Sequence, residues 1–180
     1  MTHFVPSGVI EKASLHDMIY AACPQCFTSM TLQLTSSGRP GTEVVRVQCS
    51  SCSRLSTRDE LQFKYRLKLQ LQFGVTIADA MMFDEVAESL LGVPAWRMKR
   101  ELLPQYPNLP AVLEQLLVGL RVSFSYQQPP PKRTAKQGLF TRDLKIMKIE
   151  PLLPQLLPEP AALFALKFLQ QHSSADLVHP

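Results

Sequence analysis

The stretch Gln62-Phe63-Lys64-Tyr65-Arg66-Leu67-Lys68-Leu69-Gln70-Leu71-Gln72-Phe73 is apolar at every odd position and polar at every even one. An unbroken period of two predicts one long strand with a buried face and a solvent face. Gly74 interrupts it, and 75–83 reads as a second strand, so 62–83 is expected to form a hairpin. Working outward, 121–126 alternates again, 139–149 is strand-rich, and 8–15 and 18–22 are strand-like. Between these strands lie short helical signals. Asp84 reads as an N-cap with acidic residues in the first turn and Gly92 as the stop. A second helix is expected over 95–103. A third is capped by Asn108, carries Pro110 in its first turn, covers 111–117 and ends at Gly119. The pattern is mainly β with helices.

The chain has 180 residues, 46% apolar and 19% charged, with a formal net charge of +4. That composition excludes a wholly disordered chain. No stretch reaches the ~20 apolar residues of a membrane span, so no membrane partner is expected. The charge is unevenly placed. Residues 121–150 hold seven cations against Asp143 and Glu150, a net of +5, so the rest of the chain sums to −1. Residues 127–138, with Pro129-Pro130-Pro131 followed by Lys132, Arg133 and Lys136, read as a long exposed loop. Pro151, Pro154, Pro158 and Pro160 mark 151–160 as a stiff linker. After it, 161–172 reads as an apolar helix with Leu163, Phe164, Leu166, Phe168 and Leu169 in its stripe. That stripe serves either to pack on its own domain or to seat a partner.

Cys23-Pro24-Gln25-Cys26 and Cys49-Ser50-Ser51-Cys52 are two CxxC knuckles with 22 residues between them. Each knuckle bends two thiolates onto one cation, and two knuckles complete a tetrahedron. With strand-like arms at 31–34 and 43–48, the pattern is that of a zinc ribbon inserted at about 23–52. The alternatives are disulfides or redox pairs. Nothing indicates an oxidising compartment, and a redox CxxC needs only one pair. Four thiolates close the coordination sphere, so the expected Zn²⁺ is structural and single. With it the net charge falls to about +2.

No catalytic residues are expected, and the chain is read as a non-enzyme. His3, His172 and His179 lie near the termini, and His16 beside Asp17 is a pair by adjacency only. There is no Gly-rich phosphate loop and no nucleophile elbow. Two basic sets remain. Lys64, Arg66 and Lys68 form a ladder on the polar face of the long strand, with steps of ~6.6–7 Å that suit the phosphates of an extended single strand. Lys132, Arg133 and Lys136 form the second set. Against this, Phe63, Tyr65 and Phe73 sit on the buried phase, and Phe124 and Tyr126 share the phase of Val122. Few aromatics are left to stack on bases, which favours a scaffold that binds protein only.

In order, these pieces resemble the zinc-ribbon OB-fold domain at the C-terminal end of the large subunit of replication protein A. Met18-Ile19-Tyr20-Ala21-Ala22-Cys23-Pro24 looks like that domain's approach to its first knuckle. Cys49–Cys52 followed by Phe63-Lys64-Tyr65-Arg66-Leu67 looks like its second knuckle and next strand, and 83–92 is similar to the strand end and helix that follow. Ribbon-bearing OB domains of DNA-repair and telomere adaptors are similar in the same respects: the OB-fold subunit of shieldin first, then the damage-induced apoptosis suppressor and the largest subunit of the CST complex. The resemblance covers about 9–150. It implies a five-stranded OB barrel over 1–150, the ribbon between strands 1 and 2, helices between strands 3 and 4, and the basic loop between strands 4 and 5. It also implies a nuclear protein of DNA damage repair. Such a protein binds single-stranded DNA through Lys64, Arg66, Lys68, Lys132, Arg133 and Lys136, docks another subunit through the last helix, and protects double-strand-break ends.

Overall fold

The computed structural model describes residues 1–30, 46–130, 132–134, 138–140 and 142–175, with the side chains of 132–134, 138–140 and 173–175 left aside. The ten described strands are β1 (Thr2–Ser14), β2 (Ile19–Ala22), β3 (Arg46–Gln48), β4 (Leu55–Thr57), β5 (Gln62–Phe73), β6 (Thr76–Phe83), β7 (Arg121–Gln127), β8 (Lys132–Thr134), β9 (Gly138–Phe140) and β10 (Leu144–Pro151). The main sheet runs β1-β7-β10-β6-β5-β2, and β1 also pairs with β5. That pairing closes β1, β5, β6, β10 and β7 into a five-stranded OB barrel. All its neighbours are antiparallel except β10 and β6. β5 is long because one of its edges serves two partners while the other pairs with β6. Its second half pairs with β1 (Ser14 opposite Lys68) and its first half with β2 (Ile19 opposite Tyr65).

The alternation decides the faces. Tyr65, Leu67, Leu69 and Leu71 are buried, and they meet Ile10, Ala80, Met82, Val122, Phe124 and Ile146 inside the barrel. The Tyr65 hydroxyl donates to the Val93 carbonyl at 2.9 Å, so the one phenol in that row is satisfied. One end of the barrel is covered by α1 (Asp84–Leu91), a helical stretch of α2 (Ala95–Arg97), a π-turn (Met98–Leu102) and α3 (Leu103–Gln105), and then α4 (Leu109–Leu117). They contribute Leu90, Leu91, Met98, Leu113 and Leu117 to the same core. α5 (Ala161–Ala175) lies against α4 and α1, with Ala161, Ala162 and Ala165 buried and Leu157 of the preceding segment buried too.

Three local expectations change. Asp84 is not the cap of α1. Phe83 holds that position, Asp84 begins the helix with φ of 31°, and its carboxylate turns back to accept the Tyr65 N–H at 3.1 Å. Asn108 does occupy the cap position of α4 but makes no side-chain cap bond. Residues 127–138 are not simply loop. Gln127 completes β7, and β8 pairs with β9, Lys132 opposite Phe140, while 135–137 lie outside the described residues. Strand pairing across a short connection satisfies backbone groups that an open loop leaves to water.

Candidate metal centre and nucleic-acid interface

Each cysteine pair sits at the tip of a small antiparallel turn. The first follows β2, whose Ala22 bridges to Ser29 while Met30 N–H donates to Ala21 O at 2.8 Å. The second joins β3 and β4, Arg46 opposite Thr57. The two knuckles repeat one backbone plan. Phe27 N–H donates to Cys23 O at 3.0 Å and Ser53 N–H to Cys49 O at 2.9 Å, and both residues are left-handed, with φ of 58° and 60°. Non-glycine residues resist that region at a cost of roughly 1–3 kcal/mol each, so the surroundings must enforce it. The expected arm 31–34 and the turn beyond it lie outside the described residues; the return arm is β3.

The knuckles bring Cys23, Cys26, Cys49 and Cys52 together, all four sulfurs within 4.8 Å of one another. Cys23 and Cys52 are 3.6 Å apart, Cys26 and Cys49 3.5 Å. These spacings are far too long for disulfides. They match a tetrahedron about one ion, whose edge is ~3.8 Å for a metal–sulfur bond of ~2.3 Å. Donor type, number and spacing therefore all fit a metal ion. The thiols are already polarised. Backbone N–H groups, that of Cys26 first, lower the Cys23 thiol, and the Thr28 hydroxyl and N–H hold Cys26 down at about 6. For Cys52 the Arg54 N–H acts downward, but burial and the three neighbouring sulfurs outweigh it and push it up to about 12. Four sulfurs this close favour thiolates only around a cation. Cys23 and Cys49 with Met30, Val47 and Leu61 form a small core separate from the barrel's own.

The basic ladder lies beside this ribbon. Lys64 Nζ is 2.8 Å from Asp84 Oδ2 and 5.1 Å from the centre of the Phe27 ring. The Arg66 guanidinium lies 5.6 Å from the ring of Tyr20, which is opposite Lys64 in the β2–β5 pairing. Burial first, and the Asp84 carboxylate second, raise the Tyr20 phenol. Lys68 is exposed farther along the same face. Tyr20 and Phe27 therefore supply aromatic surface beside the cations that β5 alone lacks. The signal for Phe27 was its place after the first knuckle; a strand pattern does not register it. β8 carries Lys132 and Arg133, while Lys136 lies outside the described residues. On α5, Leu163, Phe164, Leu166 and Leu169 pack half-buried on the core, and Phe168 is 49% exposed. His16 and Asp17 form an exposed pair at 3.1 Å. No described helix is long and apolar enough to cross a membrane.

No protein-family model matches the sequence, and no curated protein sequence does either. Solved structures do match. One is a chain of a replication protein A heterotrimer bound to single-stranded DNA, with TM-score 0.60 and 15% identity; the match covers 88% of this chain and 34% of that one. Another is from yeast replication protein A bound to single-stranded DNA, with TM-score 0.60 and 17% identity over 94% of this chain and 86% of that one. This chain thus spans about a third of the first neighbour and most of the second. At these identities what is shared is the fold, an OB barrel.

Proposed function

We propose that the chain is a zinc-stabilised OB module that binds single-stranded DNA and docks another subunit of a genome-maintenance complex. The observation that carries the DNA reading is the pair of cation-over-aromatic contacts at Lys64–Phe27 and Arg66–Tyr20 on one face of β2 and β5. Cations for phosphate beside rings for bases are what sequence-tolerant strand binding requires. The two structural neighbours, each described as bound to single-stranded DNA, support it. Lys68 extends the ladder, and Lys132, Arg133 and Lys136 give a second basic site on the connection between β7 and β10. Zn²⁺ suits an all-thiolate tetrahedron, and Cys23, Cys26, Cys49 and Cys52 would hold one ion in a purely structural role. The α5 stripe, with Phe168 its most exposed member, is the docking face we assign to a partner subunit. The broader setting is a nuclear repair assembly of the shieldin type, guarding double-strand-break ends, and the module acts by binding rather than by catalysis.

Fluorescence anisotropy with a labelled dT oligonucleotide tests the DNA reading. The Lys64→Glu/Arg66→Glu variant should weaken binding at least tenfold, and charge reversal at Lys132, Arg133 and Lys136 should weaken it further. Unchanged affinity in both variants sinks the assignment. A second reading, a protein-only scaffold, is favoured by one observation: the Asp84 carboxylate already occupies Lys64. Wild-type protein that ignores the oligonucleotide but captures a repair subunit supports that scaffold.

A further inference from the structure

The barrel has an open seam at the end of the basic ladder. β10 pairs with β6 only from Leu144 opposite Ala80 onward, so 76–79 of β6 has β5 on one side and, among the described residues, no strand on the other. A cleft of 360 Å³ opens there, between the start of β6, the end of β7 and 142–144. That is the low end of small-ligand cavities (roughly 300–1,000 Å³) and holds one planar ring system. It joins two surfaces. Asp79 stands opposite Gln70 on the outward face shared by Lys64, Arg66 and Lys68, and its Oδ1 accepts from Gln70 Nε2 at 3.3 Å. Phe73 and Tyr126 come from the inward face and are only half-buried where the seam parts. Their rings are 5.8 Å apart, and His3 stacks on Tyr126 at 5.2 Å and steadies it. The polar lining is Asp79 and the half-buried Asp143, with the exposed Thr76, Gln128 and Arg142 between wall and solvent.

We infer that this cleft takes one nucleobase of the bound strand, and that guanine fits it best. The inference rests on the single-strand reading above. A strand tracking the ladder leaves Lys68 and meets Gln70 and Asp79 after one further step of ~6.8 Å. The carboxylates repel phosphate, so the backbone passes outside by Arg142 while the base turns inward onto the aromatic wall. A carboxylate accepts hydrogen bonds and donates none. Guanine presents two adjacent donors, N1–H and the 2-amino group, to one carboxylate. Cytosine and adenine each present one amino group there. Thymine presents a single N–H, so it makes one bond to a carboxylate where guanine makes two.

The test compares dT12 with dT12 carrying a single dG, dA or dC moved along its length. One dG position should bind at least about fivefold tighter than dT12, the effect of one good bidentate contact. In the Asp79→Asn/Asp143→Asn variant the ratio of that dG oligonucleotide to dT12 should fall to about one. Tyr126→Leu should lower affinity for the dG oligonucleotide and Tyr126→Phe restore it, with thermal unfolding of each checked against wild type. If dT12 binds but no dG position is preferred, or the double variant keeps the preference, the base cleft is overturned and the single-strand reading stands. If neither oligonucleotide binds, both fall.

Discussion

Phe27 shows how much one residue is asked to do. Its left-handed backbone closes the first knuckle, and its 53% exposed ring carries Lys64 above it. The two roles separate by substitution. Glycine accepts the left-handed region without penalty, so Phe27→Gly should leave the ribbon at least as stable while removing a stacking surface worth ~1–3 kcal/mol per base. Thermal unfolding and oligonucleotide titration of the same sample check both halves. A variant that loses stability and keeps affinity would reverse the assignment. The cysteines were legible because thiolate chemistry fixes their spacing. The ring platform was not: Tyr20 and Phe27 meet Arg66 and Lys64 only once β2 pairs with β5, contacts between residues 46 and 37 positions apart. Asp84 misled for a related reason. An acid at a helix start resembles a cap, but here a Lys64 ion pair and the Tyr65 N–H claim its carboxylate.

At the scale of elements, β5 could be read residue by residue because one face is buried along nearly its whole length. β8 and β9 could not, since a three-residue strand carries too little alternation to register. The ribbon has its own small core, so it should answer to metal removal alone. Chelation is expected to abolish amide-exchange protection over 46–57 while β5 and β6 keep theirs, since the barrel core does not include the cysteines. Acid should act the same way. Protons compete with the ion for all four thiolates, so the ribbon loses its metal, and with it its protection, as pH falls. Zinc release into a chromogenic chelator follows this directly. A ribbon that keeps its protection without metal contradicts it. The junction of α1 and α5 offers a sharper structural test. Gly92 has φ of 80°, and an added Cβ would lie 2.3 Å from Pro160 Cβ. Gly92→Ala should cost about 2 kcal/mol or more by denaturant titration, from backbone strain and displacement of 158–160 together.

For the molecule as a whole, net charge says little and placement says much. The cations gather on the β2–β5 face and on the connection between β7 and β10, while α1 and the end of β10 carry Glu85, Glu88 and Glu150. The barrel order was legible only through the resemblance to the replication protein A ribbon domain, since the strand signals mark segments and not which of them pair. The open seam was not, because it depends on where β10 starts pairing with β6. The final helix was legible as a helix but ambiguous in role. In the fold its alanines are buried against α4 and α1, and Phe168 is left outward. The central claim is that the ladder and its rings hold single-stranded DNA through phosphate contacts. The most direct measurement is the affinity for dT12 across a salt series. The account predicts that log affinity falls linearly with log salt, with a slope of about −0.7 for each phosphate contacted, so roughly −2 to −4 for three to six cations. Absent binding, or binding that salt leaves unchanged, would contradict it.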